Sequence, residues 1–396
     1  MRGYWTSDKV GALVAVLLTA MCMRPAIVSF GPLAQRIGED LQLSSAQLGG
    51  LASVPVLAFG LISAFVARPA RHLGYARFTL LALVVLGIGI ALRLIPGAWA
   101  LWSGTALVGA GIAALNVLMP AVVKQRFPER VSFVTGIYSA LLVGSAAGFV
   151  ALATPIAVAT GDWRIALAAS LPIVIVAAIA TILRIRRATP EAGTAAVAPS
   201  VASRLWSSPL AWAVTFYMGM QSTIFYIVGN WIPTIEQSVG ISEVDAGLHF
   251  ALSQIVGVPF GFFATALMQR VRDHRPLAAT AGIAGVLPVL GAIMVPGLMP
   301  LWTVIMGLIA GITLPVALAL IGERAGSTAE AARLSGMAQS VGYMLAAAGP
   351  FVAGWMFQVT DTWNSVLWLV FGLTLVLGVS GWFAGTNRTI AEERHS

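Results

Sequence analysis

The chain has 396 residues, of which 58% are hydrophobic and only 10% charged, whereas an ordinary soluble domain is about 25% charged; a soluble globular protein is excluded. The formal charge of +8 and the pI near 10.4 do not point to nucleic acid, because the basic residues cluster in the connections between apolar stretches, where membrane topology puts them. Cys22 stands alone, so an intramolecular disulfide and a cysteine metal cluster are excluded as well.

Apolar stretches of about 20 residues, long enough to cross a hydrocarbon core of about 30 Å, recur from end to end. They fall at about 10–34, 47–67, 77–95, 99–123, 132–157 and 163–184, then at about 209–233, 246–269, 276–295, 301–321, 334–358 and 363–384. These are twelve predicted transmembrane helices. The first begins after Lys9 and runs through Arg24 and Pro25 toward Leu33 without a small-residue cleavage site, so it is expected to be a helix and not a signal peptide.

Lys and Arg set the orientation. With both termini cytoplasmic, the inside segments hold Arg2, Lys9, Arg68, Arg71, Arg77, Lys124, Arg126, Arg130, Arg184, Arg186, Arg187, Arg204, Arg270, Arg272, Arg275, Arg324, Arg333, Arg388 and Arg394. The outside connections keep Arg36 and Arg164 and carry the acids Glu39, Asp40, Asp162, Glu236, Glu243, Asp245 and Asp361. The expected location is the bacterial-type inner membrane, with the connection from Thr234 to Asp245 periplasmic. On this assignment no Asp or Glu falls inside a span.

Between Arg184 and Trp206 lies the one long polar connection, RIRRATPEAGTAAVAPSVASRLW, rich in Ala, Pro, Ser and Arg. It divides the chain into an N-terminal six-helix bundle over 1–184, a cytoplasmic linker over 185–208 and a C-terminal six-helix bundle over 209–396. TGIYSALLVGSAAG from Thr135 is echoed by SGMAQSVGYMLAAAG from Ser335, a weak internal repeat. Carriers built from two parallel repeats hold solute near the midplane between the halves and expose it alternately to each side. Prolines inside the spans, Pro25, Pro55, Pro120, Pro155, Pro259 and Pro315 among them, fit close helix packing and local kinking.

Over nearly its whole length the chain resembles the major facilitator superfamily, and within it the cyanate permease and nitroimidazole transporter family. The resemblance rests on MRPAIVSFGPL from Met23, GAGIAALNVLMPAVVKQRFP from Gly109, TGIYS from Thr135, SPLAWAVTFYMGMQSTIFYIVGNWIP from Ser208 and ARLSGMAQSVGYMLAAAGP from Ala332. It implies an all-α membrane fold of two pseudo-symmetric six-helix bundles and transport of a small solute. Two departures stand out: Cys22 and Met23 occupy positions where the family commonly has Asn and Leu, and Arg71 stands where the superfamily's gating loop has an acid.

The polar residues at membrane depth are the site candidates. Arg24 lies about 14 residues into the first span, roughly 21 Å along the axis, and a charge there costs about 2.5–3.5 kcal/mol unless it faces water or a partner. It is either a substrate contact or a structural arginine holding the Arg24-Pro25 turn; its planar fork suits a small anion better than a lysine would. Asn116, Pro120 and Lys124 recur at every fourth residue of the fourth span and form a polar stripe expected to look inward, with Lys124 an anchor or gate contact at its cytoplasmic end. Gln221, Phe225 and Tyr226 offer amide and aromatic pocket walls in the seventh span, and Trp231 beyond them is a belt anchor or a gate. Gln254 in the eighth span, and Gln339 with Tyr343 at i, i+4 in the eleventh, line the pocket or bridge helices. Arg93, near the outer end of the third span, is expected to snorkel to the interface, and His249 alone is a thin basis for a proton path.

There is no HExxH, no P-loop and no paired metal-ligand spacing. An enzyme, a bound cofactor or metal, and an ATP-driven pump are therefore not expected. What remains is a secondary or facilitated carrier of a small solute, an anion being favoured, that works as a monomer in the bilayer. Two rival readings stay open: an exporter of neutral drug-like or nitroaromatic compounds, with Phe225, Tyr226 and Trp231 as an apolar pocket, and a non-transporting membrane sensor.

Overall fold

The computed structural model describes residues 7–187 and 204–393; most of the linker expected over 185–208 lies outside the described residues. The N-terminal half comprises α1 (Ser7–Cys22), α2 (Pro25–Val28), α3 (Phe30–Leu41), α4 (Ser45–Leu73), α5 (Tyr75–Leu92), α6 (Ala98–Arg126), α7 (Val131–Thr160), α8 (Trp163–Ala168) and α9 (Leu171–Arg187). The C-terminal half comprises α10 (Pro209–Ser238), α11 (Glu243–Met268), α12 (Arg275–Ile283), α13 (Val286–Met294), α14 (Met299–Glu323), α15 (Thr328–Thr360), α16 (Trp363–Ala384) and the short α17 (Ile390–Glu393). Every expected span is present as helix. Three are interrupted: the first at Met23-Arg24 and again at Ser29, the sixth around Ser170, and the ninth at Ala284-Gly285.

The turns sort by charge. The connections after α3, α7, α10 and α15, with the helix ends beside them, gather Glu39, Asp40, Asp162, Glu243, Asp245 and Asp361 at the acidic end. The connections after α6, α11, α14 and α16 gather Arg126, Arg130, Arg270, Arg272, Arg275, Arg324 and Arg388 at the basic end. Two helices entering from the acidic end are capped by side chains: Ser44 and Gln47 form a reciprocal capping box at α4, and Ser242 accepts from the Asp245 amide at α11.

Among the described residues, eleven helical segments are long and apolar enough to cross a bilayer. The seventh predicted span, α10, is long enough at 30 residues but too polar to qualify, and the reason is its place. It packs against α3, α11, α14, α15 and α16, and Thr215, Gln221, Ser222, Thr223, Asn230 and Glu236 are all buried along it. A helix ringed by other helices need not be apolar all round, because protein groups can satisfy its polar side chains.

The halves meet along α4 and α15, α7 and α11, and α3 and α10. Contact at the acidic end is backbone on backbone. A Cβ on Gly49 of α4 would lie 2.2 Å from the Pro350 carbonyl oxygen, and one on Gly354 of α15 would lie 2.2 Å from the Ser45 carbonyl oxygen, so this pairing tolerates no side chain at either position. Arg36 of α3 makes a two-pronged ion pair with Glu243 of α11 across the same end, and Glu243 holds the Arg36 guanidinium above its ordinary pKa by hydrogen bonding. Within the N-terminal half, Arg164 reaches Asp40 at 2.8 Å.

Candidate functional site

The break in the first span sets the site. Pro25 supplies no N–H, and the residue before a proline is pushed out of helical geometry; Arg24 sits at φ −120°, ψ −37°, between α1 and the one-turn α2. This puts the guanidinium, with its Cζ 5.3 Å from the ring centroid, over Phe225 of the opposite half. Phe225 in turn meets Tyr226 edge-on, at 5.3 Å and 81°. The Arg24 charge also acts on the hydroxyls of Tyr138, Tyr226 and Tyr343, drawn from α7, α10 and α15. Among the described residues no carboxylate and no hydrogen bond engages Arg24. A cation–aromatic contact of this kind contributes about 0.5–2 kcal/mol, less than the cost of taking the charge to mid-depth.

Beside the aromatic pair lies a small cavity of about 40 Å³, walled by Ile27, Pro55, Phe225, Tyr226 and Phe250. Arg93, Thr105 and Asn230 also line it and bring hydrogen-bond donors to it. Arg93 is buried to 2% exposure and donates from Nη1 to the Ala26 carbonyl oxygen at 2.6 Å, holding the frayed backbone just past the break. The expectation that Arg93 snorkels to the interface is therefore overturned, because a carbonyl left short of helical partners near Pro25 offers the guanidinium an acceptor inside the bundle. Arg93 Nε, Thr105 Oγ1 and Asn230 Nδ2 are buried without a hydrogen-bond partner among the described residues. Leaving each such donor unpaired costs about 1–3 kcal/mol.

A second small cavity, also about 40 Å³, lies within the C-terminal half, with Gln221, Phe225 and Gln254 beside Val289, Met306 and Leu377. Gln221 is buried and spends its amide on the Met218 carbonyl oxygen at 3.2 Å and on Ser222 Oγ at 2.6 Å. Phe225 belongs to both cavities and to the Arg24 contact, so it is the hinge of the arrangement.

The other candidates are dispersed. Tyr343 packs edge-on against Phe59 of the opposite half at 5.6 Å, while Gln339, one turn earlier, donates to Ser335 Oγ at 2.8 Å within its own helix. Asn116, Pro120 and Lys124 do share a face of α6, but that face is exposed and lines neither cavity. Trp231 is corrected more sharply. It is 1% exposed, donates to the Pro350 carbonyl oxygen at 3.0 Å and lies against Trp363 at 5.1 Å. Gly354 makes the room, since a Cβ there would come within 2.8 Å of the indole; Trp231 is a core residue and not a belt anchor.

The expectation that no acid lies inside a span also fails. α10 continues about one and a half turns beyond the predicted end, past Pro233 to Ser238, and carries Glu236 into the interior at 0% exposure. There Glu236 Oε2 lies 2.7 Å from His249 Nδ1, and Thr303 donates to Oε1. A proline near the end of an apolar run marks a probable helix boundary. Here it lies inside the helix, because the residues after it have tertiary partners on α11 and α14.

Two six-helix bundles, one broken helix between them and a cation over an aromatic pair at their interface define a polytopic membrane carrier. The chain belongs to the major facilitator superfamily, whose family model matches residues 16–346. It is 34% identical over 384 residues, 97% of both chains, to the 2-nitroimidazole transporter of Escherichia coli strain K12. It is 27% identical over 354 residues to the cyanate transport protein CynX of the same organism, covering 89% of this chain and 91% of that one. Among solved structures, a bacterial homologue of the human lysosomal transporter Spinster, in an inward-facing and occupied conformation, aligns with a TM-score of 0.78 at 14% identity over 96% of this chain and 97% of that one. As a member of this superfamily the protein is a carrier of small solutes and not an enzyme.

Proposed function

We propose that the chain carries a small, planar or linear solute rich in hydrogen-bond acceptors, preferentially an anion, by alternating access between its two halves. One observation carries this reading: Arg24 stands at the interface of the halves, over Phe225, with no carboxylate partner among the described residues, so its charge is complemented when an acceptor-bearing solute arrives. The tyrosine hydroxyls around it and the unpaired donors of Arg93, Thr105 and Asn230 nearby favour the same chemistry. A nitro group and a cyanate ion, the features that name two of its relatives, are both small acceptor-bearing groups.

In this reading Arg24, Phe225, Tyr226 and Tyr343 contact the solute, Gln221 and Gln254 line its C-terminal side, and Gln339, Asn116 and Lys124 mark its route toward the basic end. The basic end is cytoplasmic, as the Lys/Arg distribution requires, and the bundles 1–184 and 209–396 move as bodies about the linker 185–208 in a single chain. Labelling of a Ser238→Cys, Cys22→Ser variant from the periplasmic side is expected; labelling from the cytoplasmic side alone overturns the orientation.

The direct test is a thermal-shift series on purified protein with 2-nitroimidazole, cyanate and benzoate, because a ligand that binds the folded state raises its apparent stability. Wild type should be stabilised by at least one of them and folded Arg24→Ala by none. The second cavity, apolar at Val289, Met306 and Leu377, favours one alternative, a carrier of neutral drug-like compounds. Unchanged affinity in Arg24→Ala would make that the better reading.

A further inference from the structure

The Glu236 cluster lies apart from Arg24 and takes no part in the solute reading. It joins three helices of the C-terminal half at the acidic end: Glu236 from α10, His249 from α11 and Thr303 from α14. The carboxylate is 0% exposed while the imidazole keeps 28% of its side-chain surface. His249 is thus the face the cluster shows to the outside.

Few other charges bear on it. Besides His249, the charged group that acts on Glu236 among the described residues is Asp245, a turn earlier on α11. Arg36 of α3 is engaged with Glu243, Asp40 of α3 with Arg164, and Glu39 of α3 with Gln35. α15 ends in the exposed Asp361, and α16 has no titratable residue. An arginine, which would hold the acid permanently ionised, is not among its partners. Its partner is a histidine, the side chain whose charge changes nearest neutral pH.

We infer that Glu236 and His249 form a proton-binding site that loosens the tie between α10, α11 and α14 when it is loaded. In the unloaded state a neutral imidazole donates Nδ1–H to Glu236 Oε2 and Thr303 donates to Oε1. A proton arriving from the acidic end is taken by the free Nε2 of His249, giving the imidazolium. The Nδ1 proton then passes to Oε2, leaving a carboxylic acid and a neutral imidazole protonated on Nε2. One proton has entered, no bond other than N–H and O–H has changed, and the buried charge is gone. Both hydrogen bonds are then neutral, and such bonds are about half as strong as the charge-assisted ones they replace. The three helices so joined carry residues that line the two cavities: Phe250 next to His249, Met306 about a turn from Thr303, and Asn230 less than two turns before Glu236. Proton occupancy thereby biases the movement that exposes the site.

The test needs no solute. Thr160→Cys of α7 and Ser238→Cys of α10 in a Cys22→Ser background place one spin label on each half at the acidic end of the full-length protein. Pulsed EPR distances are read across about pH 5 to 8. The distance distribution should shift with pH in this background. Addition of Glu236→Gln should hold it at the low-pH distribution throughout, and addition of His249→Asn should move the midpoint. Infrared difference spectra of the wild type should show the carbonyl stretch of a carboxylic acid appearing over the same range, which keeps the inference testable if Glu236→Gln does not fold. A pH-independent distribution, a Glu236→Gln variant that still responds, an unmoved midpoint in His249→Asn, or no carboxylic acid band in the wild type overturns it. The failure of any solute to bind would leave these outcomes as they are, so this inference and the proposed function fail separately.

Discussion

Arg24 and Glu236 are both charged groups drawn into the helical interior, and they are treated in opposite ways. Glu236 is fully enclosed, and each oxygen has a partner on a different helix. Arg24 keeps partial exposure and lies over an aromatic face, with no carboxylate partner among the described residues. Before a proton loads it, the Glu236 charge has a complete set of partners and ties together the helices that supply them, whereas on the proposed reading the Arg24 charge is complemented by the solute. Arg93 stands between the two cases, with one nitrogen committed to the Ala26 carbonyl and another uncommitted.

The contrast can be broken most directly at Arg24. Arg24→Ala should abolish solute binding while leaving the unliganded protein monodisperse, and Arg24→Lys, which keeps the charge and loses the paired donors, should weaken binding about tenfold, roughly 1.4 kcal/mol. Binding isotherms on each purified variant measure this, and loss of folding in Arg24→Ala would put Arg24 in the same class as Glu236. Glu236→Ala should do the reverse. It strands His249 and Thr303 and should lower unfolding stability by about 2–3 kcal/mol, read as a fall in apparent Tm; a variant as stable as wild type would show that the cluster does not hold the helices.

Two smaller effects sharpen the comparison. Trp231→Phe retains most of the packing against Trp363 but leaves the Pro350 carbonyl without its indole donor, a loss of about 1 kcal/mol in the same assay. Arg36→Gln removes an ion pair whose guanidinium side chain is 36% exposed, and it should cost less than about 1 kcal/mol and fade as salt is raised. An Arg36→Gln effect as large as that of Glu236→Ala would mean that the acidic end is held by its rim and not by its buried cluster.

Much of the fold was legible from the residue pattern because the bilayer imposes one rule on every span: about 20 apolar residues, or burial among neighbours. The interruptions were partly legible too, since Arg24-Pro25 announces a break by its chemistry. Arg93, Trp231 and Glu236 were misread for one common reason. Each was assigned to an interface from its distance to a span end, and distance along the chain does not say which way a side chain points or what lies opposite. Thr105 and Asn230 drew no notice, because a lone hydroxyl or amide in an apolar run has no distinguishing pattern; only the cavity they share with Arg93 marks them.

The sequence by itself determined that this is an all-helical membrane carrier in two halves, with a cation near mid-depth and its basic connections gathered at one end. These follow from composition, span length and charge placement, which are one-dimensional quantities. Tertiary structure alone decided that Phe225 of one half lies against Arg24 of the other, that Arg93 turns inward to a carbonyl, and that Glu236 meets His249 and Thr303. Each depends on residues far apart in the chain, 201 positions for Arg24 and Phe225 and 67 for both Arg93 with Ala26 and Thr303 with Glu236. Their approach is set by how closely packed helices can come, which depends on glycines such as Gly49 and Gly354 and on the tilt of every neighbouring helix. No local pattern encodes it.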